Sequence, residues 1–213
     1  FAFVGEPNEF REVPEHLGQM GGDTWRSYGG HRLWHAPENR PRTYLPDNAP
    51  VKLEDHGAFV RLVQETEAAT GIQKEMDLRL APDQPHLQVT HRLINRGLWA
   101  VELAPWALTV MAAGGVAVLP HPPRRPWPDF LLPSHAVILW PYTAMSDPRW
   151  TWGERYILLR QDPQASRPQK VGLQDLDGWV AYQRQGHLFV KVFSVLPQAT
   201  YPDRGSTVEV FTN

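Results

Sequence analysis

The chain has 213 residues, a formal net charge of −2 and no cysteine. Disulfides, thiolate metal sites and a thiol nucleophile are therefore excluded, and a balanced charge without a block of one sign offers little to nucleic acid or an anionic membrane. The length suffices for one domain spanning residues 1–213, with a core burying ~70% of its unfolded surface, and no apolar run is long enough to cross a bilayer.

The chain opens on FAFVGEP without a methionine and closes on VEVFTN in what reads as a strand. The expectation is a fragment or processed form lacking terminal strands, compatible with a cytoplasmic, periplasmic or secreted home. Residues 6–50 are rich in proline and glycine and read as a long loop. AFVRLVQ (58–64) is the first β-forming run. In QKEMDLRLA, Met76, Leu78 and Leu80 alternate with Glu75, Asp77 and Arg79, and HLQVTHRLIN repeats the pattern with Leu87, Val89, His91 and Leu93. This period of two marks half-buried strands. Further runs follow at WAVELAPWALTVM, AVILWPY, RYILLRQ, WVAYQ and HLFVKVFSV, separated by breakers such as APDQP, AAGG and YPDRG. Residues 119–155 form a second long segment rich in proline and tryptophan that fits poorly as strand. Twenty-one prolines and no sustained 3.6-residue period argue against long helices. The expected fold is all-β and antiparallel, a sandwich or a barrel. Long loops in such a domain are functional or tightly packed.

The stretch YGGHRLWHAPE places His31 and His35 four residues apart, with Glu38 three further on. On a helix this spacing suits zinc, but Gly29, Gly30 and Pro37 oppose a helix, and Arg32 stands where a zinc hydrolase has its glutamate. The reading is a turn or site loop without metal. Nine tryptophans, six of them between residues 99 and 152, set the second signal. An indole face complements the C–H face of a pyranose, while carboxylates, amides and guanidiniums take its hydroxyls in paired hydrogen bonds. PYTAMSDPRWTWG supplies such a mixture in Asp147, Arg149, Trp150 and Trp152. Each ring read singly is more readily a core filler, and the sugar surface competes only for the set as a whole.

His91, in phase with apolar neighbours, reads as a core or cross-strand histidine and also as a possible acid. Glu102 lies inside an apolar run, where a buried carboxylate needs a partner or a raised pKa. Lys191, between Phe189 and Phe193 on one strand face, is a snorkelling surface lysine or a polar group in a site.

Together YGGHRLWHAPE, HRLINRGLWAVELAPWALTVM, LWPYTAMSDPRWTWG and YPDRGSTVEVFTN resemble the galactose-mutarotase-like (aldose 1-epimerase-like) superfamily, nearest to a bacterial branch of uncharacterised function. The resemblance runs over most of the chain. It implies a large twisted antiparallel β-sandwich with a sugar on its concave face, no cofactor, and a carbohydrate as partner. Arg32 matches the family's arginine after a Gly-rich turn. The family's acid histidine falls where this chain has Trp106 and Leu108, and the glutamate base belongs to a strand beyond VEVFTN. Three functions follow as expectations. One is a carbohydrate-binding domain using Arg32, Trp34, Glu38, Trp106, Asp147, Arg149, Trp150 and Lys191. Another is a sugar mutarotase or epimerase with a non-standard general acid, the catalytic candidates being His31, His35, His91 and Glu102. The third is a structural module of a polysaccharide-processing protein. Neither the sugar nor an oligomeric state is specified.

Overall fold

The computed structural model describes residues 1–40 and 42–213. Strand accounts for 39% of the chain and helix for 2%, so the fold is all-β and sandwich-like. All pairings are antiparallel, and none of the four sheets closes into a barrel among the described residues. The chain divides into two compact units, Phe1–Met111 and Ala112–Asn213.

The first unit contains β1 (Gly30–Ala36), β2 (Lys52–Asp55), β3 (Val60–Val63), β4 (Ile72–Leu80), β5 (Leu87–Asn95) and β6 (Ala104–Val110). The last four residues of β1 are all buried, Leu33 at 3% exposure. β1 pairs with β6, Trp34 opposite Trp106 and His31 opposite Thr109. β2 to β5 form a meander in which Met76 faces His91 and Leu62. On this sheet's other face stands a charged ladder. Arg61 Nε donates to Asp77 Oδ1 at 2.7 Å and Arg92 to Asp77 Oδ2 at 2.5 Å. Arg92 and then Arg61 hold the Asp77 carboxyl well below the usual carboxylate range.

Residues 30–36 form a strand although they lie in the proline- and glycine-rich segment 6–50 expected to be loop. The glycines mark the strand's entry. Gly29 has φ +80° and bridges to Glu12, and a Cβ there would stand 2.0 Å from the Arg11 carbonyl oxygen. β2 is a further strand with no expected counterpart. WAVELAPWALTVM, conversely, becomes strand only from Ala104. Residues 96–103 form the preceding loop, so Glu102 is exposed rather than buried.

The second unit holds β7 (Val116–Pro120), β8 (Val137–Leu139), β9 (Trp150–Trp152), β10 (Tyr156–Arg160), β11 (Gln169–Leu173), β12 (Trp179–Arg184), β13 (His187–Val192) and β14 (Val208–Thr212). Five of these strands are ordered β13-β12-β7-β10-β9 and three β14-β11-β8. Leu119 and Ile157 are each 0% exposed and sit opposite one another; Val171 and Leu173 of β11 complete the core. β11 is buried along its whole length, which its mixed sequence QKVGL does not announce. A single turn, α1 (Pro202–Gly205), precedes β14, and two of its residues are left-handed, Asp203 at φ 49° and Arg204 at φ 60°. Such a conformation is costly away from glycine.

Replacing Leu119 by alanine is expected to cost about 2–5 kcal/mol, as core truncations do. Leu53→Ala, at a side chain 64% exposed, should stay within about 0.5 kcal/mol of the parent. Urea unfolding of both variants measures the difference.

Candidate functional site

A strand sends alternate side chains to opposite faces, so β1 sorts the expected residues into two groups. Arg32 and Trp34 share one face. Trp34 is packed among Trp25, Tyr44 and Trp106, with ring centroids 6.2, 5.5 and 5.3 Å away. At 8% exposure it is a core ring with no open face for a ligand. The Arg32 guanidinium lies 5.0 Å from the Trp25 ring centroid, pairs with Asp47 at 3.2 Å and donates to the Arg26 carbonyl. Glu38 accepts from the Tyr44 hydroxyl at 2.7 Å. Arg32, Trp34, Trp106 and Glu38 are therefore brought into one aromatic assembly whose polar groups answer one another.

His31, Leu33 and His35 take the other face. His31 Nε2 lies 2.8 Å from His91 Nε2, and His31 Nδ1 lies 2.9 Å from Thr109 Oγ1. One imidazole in such a contact donates while the other accepts, so the contact requires at least one neutral ring. The cross-strand reading of His91 thus takes a specific form, with β1 supplying the partner.

His35 is 3% exposed, and its Nε2 lies 3.1 Å from Glu67 Oε2. The Thr70 hydroxyl donates to Glu67 at 2.6 Å, and Lys74 Nζ lies 2.5 Å from its other oxygen. Burial alone would raise the Glu67 pKa; His35, Lys74 and Thr70 overcome it and hold the group at about 2. An ionised carboxylate only accepts hydrogen bonds, so His35 Nε2 must donate. That fixes the ring and leaves Nδ1 as the free position, and this buried atom has no hydrogen-bond partner.

His35 lines a cleft of about 290 Å³ in this unit, with Arg42, Thr70 and Glu102 as further polar groups and Leu45, Ile72 and Val101 among its apolar wall. Arg42 donates to the Pro37 carbonyl, while its Nε is buried without a partner. His35 and Glu102 thus meet at one cleft. Among the described residues no three His, Asp or Glu side chains are grouped to hold a metal ion.

The other expected residues belong to the second unit. Asp147 grips Arg149 through both carboxylate oxygens at 3.0 Å, and Arg149 also donates to the Arg167 carbonyl. Trp150 is 7% exposed, stacks on Trp152 at 5.1 Å and donates its N–H to Gln169. These three side chains bind one another's loop into the core. Lys191 stands on β13, and burial lowers its pKa to about 8.

Compared with known proteins, the chain matches no protein-family model, no curated protein and no solved structure.

Several site residues have no counterpart in the sequence reading. Glu67 sits in a polar turn, QETEAATG, and nothing in its neighbours announces burial. Lys74 carried a usable signal: it falls in phase with Ile72 and Met76, where an unpaired charge would be costly. In the second unit Lys170 Nζ lies 4.0 Å from the Trp140 ring centroid and 2.8 Å from Glu209. Burial raises the Glu209 pKa to about 7; Asp203 adds to the rise and Lys170 opposes it.

A carboxyl that holds its proton more tightly when folded stabilises the fold below its ordinary value of 4.5, and that contribution is lost as pH rises through about 7. Stability of the parent chain is therefore expected to fall across this interval. Glu209→Gln should flatten the decline, measured as the urea midpoint against pH.

Proposed function

We propose that the protein binds carbohydrate, and that the cleft lined by His35 is where the sugar sits. The observation carrying this reading is the buried, unpartnered Nδ1 of His35, held in place through Nε2 by Glu67. A buried polar atom without a partner costs free energy, and a sugar hydroxyl reaching Nδ1 from the cleft would remove that cost. The cleft, at about 290 Å³, lies near the lower end of the ~300–1,000 Å³ range of small-molecule sites, a size that favours a monosaccharide. Arg42 supplies donors, Glu102 acceptors, and Leu45 and Val101 an apolar wall for C–H groups. The likeness of the sequence blocks to the galactose-mutarotase-like superfamily points to the same ligand class. Aliphatic walls, with no aromatic ring besides His35 among the described lining residues, imply weak binding.

The test is saturation-transfer NMR with galactose, glucose and their uronic acids. Dissociation constants in the millimolar range are expected, about −3 to −4 kcal/mol. His35→Asn, with folding verified by circular dichroism, should weaken binding about tenfold, or ~1.4 kcal/mol. No binding of any of these sugars up to about 10 mM would sink the proposal.

One observation favours a second reading, sugar mutarotation. An imidazole tied to an ionised glutamate, with its other nitrogen free, has the arrangement of an oriented general base. His35 Nδ1 would take the anomeric hydroxyl proton as the C1–O5 bond breaks, solvent water would protonate the ring oxygen, and Glu67 would stabilise the imidazolium so formed. Exchange NMR between α and β anomers decides it. Accelerated exchange that disappears in Glu67→Gln is the expected result; exchange at the buffer rate excludes this chemistry while leaving binding intact.

A further inference from the structure

The second unit contains a basic cleft that the sugar reading does not use. Its volume is about 300 Å³, and its polar lining comprises His121, Arg124, Arg125, Ser134, His135 and Glu154. The backbone anchors one wall, because His121 N donates to the Arg155 carbonyl at 2.8 Å in continuation of the β7–β10 pairing. The opposite wall comes from the segment before β8, where His135 Nδ1 lies 2.9 Å from Ser134 Oγ. The two imidazoles face each other edge to face, with centroids 5.5 Å apart.

Charge in this cleft is unequal. Arg124 is paired with Glu154 at 3.2 Å. Arg125 lies 5.3 Å from the Phe130 ring centroid, and among the described residues no carboxylate stands within ion-pair distance of it. Two guanidiniums against one carboxylate leave an excess positive charge before either histidine is protonated. Burial, and then the neighbouring charge of His135, hold the His121 pKa below its ordinary value of 6.5. An anion in the cleft beside both rings opposes both effects.

We infer that this cleft binds a small molecule through a phosphate group. A phosphate offers three oxygens to the guanidinium, imidazole and hydroxyl donors gathered here, whereas a carboxylate offers two. Its second ionisation, with a pKa of about 6, lies in the range where histidines titrate. Phe130, Pro122 and Pro123 supply an apolar flank for the rest of the ligand. The inference is independent of the sugar reading, since it uses other residues in the other unit.

The test uses the full chain and inorganic phosphate, followed through the histidine ring protons by NMR. Phosphate is expected to move the His121 and His135 signals, raise the His121 titration midpoint, and bind about tenfold more tightly at about pH 6 than at about pH 8. Arg125→Gln should weaken binding about tenfold, or ~1.4 kcal/mol. Three results would overturn the inference: undisturbed imidazole signals at about 50 mM phosphate, a concentration above any useful affinity; unchanged affinity in Arg125→Gln; or acetate binding as tightly as phosphate.

Discussion

A carboxylate buried in the first unit has to be matched by donors, and Glu67 is the point on which that unit's polar interior depends. It gathers the imidazole of His35 from β1, the ammonium of Lys74 from β4 and the hydroxyl of Thr70 from the turn between β3 and β4. The two sheets of the unit thereby share one charged centre. Removing any single donor leaves the buried carboxylate short of a partner, and breaking a buried pair is far more damaging than replacing it whole. The same centre fixes which nitrogen of His35 is left for chemistry. Stability and the availability of Nδ1 are consequences of one arrangement.

The period-two alternation of residues 73–81 and 86–95 makes β4 and β5 legible, and with them the opposite assignment of Met76 and Asp77 to the two faces. Strand β1 was hidden by its own termini. Gly29 opposes a helix, and it also permits the close approach of residue 11 that starts the strand. Once 30–36 is a strand, His31 and His35 fall on one face by alternation alone. Their partners do not, because Glu67 is separated from His35 by 32 residues and His91 from His31 by 60. Such pairings follow from how sheets pack, which a local pattern does not encode.

The tryptophans illustrate the converse limit. Their number is as compatible with a core as with a sugar surface: Trp99 and Trp127 are 80% and 82% exposed, whereas Trp34 and Trp150 are core residues. The Arg32 guanidinium lies over the Trp25 ring with its charge answered by Asp47, and the buried Arg149 is answered by Asp147. Paired charge beside an aromatic ring is thus as much a sign of a satisfied interior as of a binding surface.

The aromatic packing also gives the molecule two built-in optical labels. Trp25, Trp34 and Trp106 lie within 6.2 Å of a neighbouring indole in the first unit, and Trp150 and Trp152 are 5.1 Å apart in the second. Indoles this close couple their electronic transitions, and the resulting circular dichroism depends on the angle between rings, 55° and 69° in the first set and 29° in the second. Each unit therefore carries a chiral absorption signature of its own side-chain packing. Whether the two units melt together, the question on which any single stability value for the chain rests, is written into its near-ultraviolet spectrum.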